Sequence, residues 1–354
     1  MTNEDHRQQI FIPTLAEFKD DIDRSWEIQK PLADAGYQPG FMLLVRKGVE
    51  GKPRVFDHKH RKNMYDGAAQ YSELYGDAPI VTMLSNIPIC DIDFLHNTQP
   101  ATEHVLAGIE LASNLPIGKR KILTFHTNTL VTCDEFSARS QSTWYHEKFE
   151  EIIMPAMRTI GDFARRHNVE TLVESVPVPE FEDIPLTDKK EYHGVHWSEL
   201  RNPFYIFDNN HIRRQLRDAG LGICLDICHN YTIDQAARDK NEDLLYKGDI
   251  TKILGDSWSV LSDVSTIDSS KELIHLNDGR GKYTLDGGVY EEGIALGEGI
   301  IPNMEGIIST IKERRIPFVL EVNVGFREDG EPDFVNRPWV VQSINYLLNL
   351  EKSA

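Results

Sequence analysis

The strongest constraint on the fold is an alternation that repeats eight times along the chain: a short apolar run followed by a longer amphipathic stretch. The apolar runs occupy residues 10–13, 41–46, 79–84, 121–126, 171–175, 222–226, 272–276 and 318–322. They are short, nearly continuous and rich in Val, Ile and Leu, so each predicts a strand buried on both faces. The stretches 15–35, 64–75, 102–112, 145–167, 210–219 and 303–314 carry apolar residues at helical spacing. In 145–167, for example, Phe149, Ile152, Ile153, Ala156, Ile160 and Phe163 lie on one face. No Gly/Ser or Pro linker divides the series. Eight β-then-α units in an undivided chain predict one (β/α)8 TIM barrel over residues 1–354. A doubly wound open sheet is the alternative, but no Gly-rich phosphate turn follows the first strand. A barrel takes about 250 residues, leaving roughly 100 for insertions. The clearest insertion, residues 177–209, is rich in Pro, aromatics and acids and follows the fifth strand. It is expected to form a lid or substrate wall at the C-terminal face, where barrels place their chemistry.

Charge and composition narrow the partners. A net charge of −18 makes long-range attraction to nucleic acid unfavourable. No run approaches the roughly 18 apolar residues of a membrane span. The opening MTNEDHRQQ is polar rather than a secretory leader, so cytoplasm is the expected compartment. Cys90, Cys133, Cys224 and Cys228 offer no zinc-finger spacing and read as buried, reduced thiols.

Four of the apolar runs end alike. Glu174 closes TLVES, Asp226 sits in GICLDICH, His275 in ELIHLND and Glu321 in PFVLEVN. A buried charge is costly without a partner, and four such strand ends are most simply served by one divalent cation. Taken singly, each has an ordinary reading as a helix cap, an ion-pair partner or a core histidine. Taken together, three carboxylates and an imidazole suit Mn²⁺, Mg²⁺, Co²⁺ or Zn²⁺, and no organic cofactor is expected. His126 ends the fourth strand and His229 follows Asp226 by three residues, which makes both candidates for a second ion or for substrate. Asn277 and Asp278 come directly after His275 and are expected to orient it. Other histidines signal less: Asp57-His58-Lys59-His60-Arg61 reads as a solvated loop, and His193 and His196 have ligand spacing without a helical frame.

Together LTFH, LVES, ICLDICH, IHLND, LGEG and VLEVN resemble, in order and spacing, the xylose isomerase-like barrels, which include endonuclease IV, ketose 3-epimerases and sugar isomerases. The wording is closest to the endonuclease, a trinuclear zinc enzyme, but its third-strand histidine is replaced here by Met83 or Leu84. Its Asp-x-His pair before LGEG is replaced by Glu291-Glu292-Gly293. The resemblance therefore implies a single metal held by Glu174, Asp226, His275 and Glu321, and a carbohydrate-like small-molecule substrate. It implies isomerase or epimerase chemistry through a metal-stabilised enediolate, with Glu174 and Glu321 as opposed acid and base. His229 and Arg280, in the NDGRG loop, would bind substrate oxygens. The alternatives are endonuclease-like hydrolysis at abasic DNA and a catalytically silent metal-binding barrel. Neither the metal's identity nor the oligomeric state, which includes a homo-oligomer, is set by the sequence.

Overall fold

The computed structural model describes residues 7–15, 19–45, 54–75, 79–84, 93–116, 120–127, 129, 131–139, 142–177, 191–192, 195–196, 200–201, 210–239, 258–281, 290–330 and 333–353. Eight parallel strands close into a barrel: β1 (Gln9–Thr14), β2 (Gln38–Val45), β3 (Ile80–Leu84), β4 (Lys121–His126), β5 (Glu170–Glu174), β6 (Gly222–Asp226), β7 (Leu273–Leu276) and β8 (Phe318–Leu320). Each pairs with its neighbours in chain order, and β1 pairs with both β2 and β8. A helix follows each strand: α1 (Lys19–Asp34), α2 (His58–Tyr75), α3 (Thr98–Asn114), α4 (Met154–His167), α5 (Asn210–Asp218), α6 (Ile227–Arg238), α7 (Met304–Glu313) and α8 (Pro338–Ser353). This is the predicted (β/α)8 barrel. Among the described residues no helix is long and apolar enough to cross a membrane.

Period-two alternation sorts each strand into an outward face against the helices and an inward face. The inward side chains Phe11, Met42, Val81, Ile122, Leu172, Cys224, Leu273 and Val319, one from each strand, pack into a separate apolar cluster. They plug the barrel interior. The larger core lies between the sheet and the helices. Closure is also held by side chains: buried Arg337, just before α8, bonds Asp21 and Ser25 of α1 and the Pro13 carbonyl of β1.

Two local expectations are corrected. Residues 57–61 do not form a solvated loop. They open α2, with Asp57 Oδ1 accepting from the backbone N–H groups of Lys59 and His60, and His60 is buried. Stretch 145–167 is not one regular helix either. A short helix, Trp144–Lys148, passes through a π-type turn, Phe149–Ile153, into α4. Pro155 supplies the reason: it has no N–H to donate, and its ring would clash with the carbonyl four residues back, so the turn widens around it.

Most of insertion 177–209 lies outside the described residues, as do Cys90 and His193. Two short ribbons within it are described. Glu191–Tyr192 pairs with Val195–His196, and Leu200–Arg201 pairs with Val131–Thr132, which lies just beyond β4. Of the thiols, Cys224 and Cys228 are buried, while Cys133 is only partly so.

Candidate metal centre

One step above the apolar plug, two residues further along each strand, the inward positions are Pro13, Leu44, Met83, Thr124, Glu174, Asp226, His275 and Glu321. Half of this layer carries no ionisable group. The other half, from β5, β6, β7 and the residue after β8, holds the four strand-end groups. Register sets Asp226 beside His275 and steps the other two: Glu174 pairs with Cys224, His275 with Val319, and the Glu321 N–H donates to the Leu276 carbonyl.

The His275 imidazole is the centre of this group. Its Nδ1 lies 2.6 Å from Glu321 Oε2, 2.9 Å from Glu174 Oε1 and 3.9 Å from Asp226 Oδ2. One ligand atom from each of the four residues falls within 4.8 Å of all the others. An ion bound at about 2.1 Å sets neighbouring ligands roughly 3 Å apart and opposite ones roughly 4 Å apart, so these spacings fit a divalent cation. Burial works against a charge on His275, and Cys224, Glu174 and Glu321 overcome it, raising the imidazole well above its ordinary range. A proton on Nδ1 thus stands among the carboxylate oxygens where a cation would bind. Glu174 Oε2 and His275 Nε2 are buried without a hydrogen-bond partner.

The three carboxylates differ in setting. Burial would raise Glu174, but the imidazoles of His126 and His275 hold its carboxyl well below the usual range. Asp226 is pushed up to about 7 by burial, with His229 opposing the rise and Glu321 adding to it. It is also the N-cap of α6, accepting from the His229 N–H at 2.8 Å. The Glu321 side chain keeps 25% of its surface exposed, whereas Glu174 has none, so substrate would meet Glu321 first.

His126 Nε2 lies 3.1 Å from Glu174 Oε1, and its ring meets that of His229 edge-on. Together His126, Glu174 and His229 form a second metal-capable group. His229 Nδ1 donates to the Ser175 carbonyl at 2.6 Å, which turns Nε2 towards Glu292 Oε2 at 3.4 Å. Burial lowers the His229 imidazole, and Asp226 and Glu292 together raise it well above its ordinary range.

Asn277 and Asp278 hold groups other than His275. Asn277 Nδ2 donates to Asp226 Oδ2, and its Oδ1 accepts from the Cys228 N–H, so it orients the aspartate and the start of α6. Asp278 gathers the backbone N–H groups of Gly279, Gly297, Gly299 and Ile301, which pins the LGEG turn. Arg280 is half exposed, held by the Glu298 carbonyl and carboxylate, and is not among the residues brought together. Three contributors were missed in the sequence. Ser175 Oγ accepts from the Asp226 N–H, Cys224 forms a metal-capable group with Glu174 and His275, and Glu292 faces His229. For Cys224 the signal existed: it stands two residues before Asp226 and therefore points inward with it.

No protein-family model and no curated protein matches the chain. Solved structures do match over its whole length. A protein from Anabaena variabilis described as a sugar phosphate isomerase/epimerase is 15% identical, covers 98% of this chain and 99% of its own, and has a TM-score of 0.55. A D-tagatose 3-epimerase-like protein is 15% identical with the same coverages and a TM-score of 0.52. D-allulose 3-epimerase from Methylomonas sp. is 12% identical over 97% of this chain and 98% of its own, at 0.52. At these identities the likeness is one of fold, and it agrees with the closed eight-stranded barrel: the chain has the (β/α)8 TIM-barrel fold of these structures.

Proposed function

We propose that this protein is a divalent-metal-dependent isomerase or epimerase acting on a sugar or a closely related polyol or keto compound. The observation that supports the reading is that Glu174 Oε1 and Glu321 Oε2 both lie against His275 Nδ1, at 2.9 and 2.6 Å, with Asp226 completing the set. Glu174, Asp226, His275 and Glu321 would hold the ion. When bound, it would supply Lewis-acid polarisation of a substrate carbonyl. The proton transfers fall to the protein. The more exposed Glu321 is suited to take the proton from the carbon next to that carbonyl, and buried Glu174, whose Oε2 is free of hydrogen bonds, to return one from the other side. Delivery to the opposite face of the same carbon gives epimerisation, and delivery to the neighbouring carbon gives isomerisation. Asn277 and Ser175 hold Asp226 in place, and His229, fixed through Nδ1, presents Nε2 to a substrate hydroxyl. The insertion 177–209 is proposed as a wall over this face, a placement supported by the pairing of Leu200–Arg201 with the segment beyond β4. Names of the fold's neighbours, which include enzymes acting on ketoses, favour the same class.

The test has two stages. Protein reloaded with Mn²⁺, Co²⁺ or Zn²⁺ and desalted should retain about one ion per chain, and less than about a tenth would end the metal reading. Loaded protein in D₂O should then place deuterium into a member of a ketose and keto-acid panel, and Glu174→Gln or Glu321→Gln should abolish the exchange. A second reading, metal-assisted phosphodiester hydrolysis at abasic DNA, is favoured by one observation, the additional group His126, Glu174 and His229. Incision of an abasic duplex without deuterium exchange would select it.

A further inference from the structure

The feature that the proposed chemistry leaves unused is Glu292. It lies on the second strand of an antiparallel ribbon, Asp278–Gly281 with Tyr290–Ile294, that rises from the end of β7. The ribbon is fastened to the segment after β8. Asn323 donates through Nδ2 to the Glu292 carbonyl at 2.8 Å and through its N–H to the Gly293 carbonyl at 2.6 Å. Gly293 has a φ of 68°, and a Cβ there would come within 3.0 Å of Asn323 Nδ2, so the close approach depends on glycine. The result is an acid held in place. Glu292 Oε2 is buried and pairs with His229 Nε2 at 3.4 Å, while the side chain as a whole keeps 37% of its surface exposed. His229 in turn lies 3.8 Å from Asp226 Oδ1.

The surroundings give this carboxylate its meaning. Glu174, Asp226, Glu321 and Glu292 put four carboxylates around the site, and among the described residues no lysine or arginine pairs with any of them. Glu292 Oε2 stands against His229 Nε2, so a further negative group on the substrate that approached this imidazole would meet a carboxylate there, with three more close by. Like-charge juxtaposition of this kind is how a site excludes the wrong ligand.

We propose that Glu292 is a specificity-determining residue whose carboxylate, facing His229, admits neutral polyhydroxy substrates and rejects phosphorylated or carboxylate-bearing ones. The inference rests on the sugar isomerase or epimerase reading of the same site. It assigns the discrimination to one residue that takes no part in holding the ion or in moving the proton at carbon.

The test compares D-fructose with D-fructose 6-phosphate as binding probes for the Mn²⁺-loaded protein by calorimetry. Wild type should hold the neutral sugar at least about tenfold more tightly. Glu292→Gln, with ion content unchanged, should shrink that preference by about tenfold, chiefly by tightening the phosphate ester, while Glu292→Asp keeps it. A merely structural role would weaken both probes alike. Raising the salt with wild type supplies a measurement that needs no variant: screening should improve binding of the ester and leave the neutral sugar unmoved. Equal or tighter binding of the ester by wild type, an unchanged ratio in Glu292→Gln, or binding of neither probe would overturn the proposal. Failure of the underlying reading registers separately, as loss of ion retention or absence of deuterium exchange.

Discussion

His104 illustrates how single residues set the protein's response to acid. It is buried on α3, its Nδ1 has no hydrogen-bond partner, and burial pushes its imidazole from 6.5 down to about 4. Because the folded value is the lower one, the neutral form's contribution is intact above pH 6.5 and is lost as pH falls towards 4. At roughly 1.4 kcal/mol per unit this is a loss of about 3 kcal/mol. In urea unfolding near neutrality and near pH 4, wild type should therefore lose about 3 kcal/mol more than His104→Leu. Equal losses in the two proteins would show that His104 plays no part. A buried neutral histidine of this kind leaves no mark in sequence, since its surroundings come from distant elements. The metal candidates were legible because an acid or imidazole closing four consecutive apolar runs has few explanations. Asn277 was expected to orient His275, and its hydrogen bonds go elsewhere. It follows His275 in the chain, yet the group it reaches, Asp226, lies on the neighbouring strand. Glu292 was visible only as the remnant of another enzyme's motif, because facing His229 depends on how a ribbon folds back over the barrel.

Between elements, the same limit takes a larger form. Arg213 of α5 is wholly buried and bonds Asp263, in the helix Val260–Val264, through both terminal nitrogens at 2.6 and 2.7 Å. Asn230 of α6 donates to the same carboxylate, so three segments meet at one acid. Removing one partner leaves a buried charge uncompensated, so Asp263→Ala should cost about 3–5 kcal/mol in denaturant unfolding. The double variant Arg213→Met/Asp263→Leu should cost clearly less than the sum of its single changes, and strict additivity would deny the coupling. The LGEG turn gives a second case. A Cβ at Gly299 would sit 2.0 Å from Asp278 Oδ1 and 2.6 Å from the Gly279 carbonyl. Gly299→Ala should therefore cost about 1–3 kcal/mol through overpacking and release of the Asp278 clamp, and an unchanged melting temperature would refute that. All eight strands were foreseen to within a few residues because continuous apolar runs of this length suit two-sided burial. The π-type turn before α4 was not, although Pro155 was in view, because apolar spacing continues through it and conceals the change in backbone pitch.

At the scale of the whole barrel, the candidate ligands divide the ring of strands in two. At their level β5 to β8 present Glu174, Asp226, His275 and Glu321, while β2 and β3 present Leu44 and Met83, packed on the apolar plug. One half of the upper barrel therefore has hydrophobic cohesion, and the other half concentrates like charges that only a cation or a proton can hold together. Ion binding should thus stabilise the fold unevenly. At a free Mn²⁺ concentration a hundredfold above the dissociation constant, wild type should gain about 2.7 kcal/mol. Hydrogen exchange should slow at the C-terminal ends of β5 to β8, with little change in β2 and β3. Glu174→Ala removes the carboxylate that His126 and His275 share, and should lose both the stabilisation and the localised protection. Equal stabilisation of this variant would place the ion elsewhere. Protection spread evenly over all eight strands would mean that the ion tightens the barrel as a unit, and that the division between its inert and charged halves carries no mechanical weight.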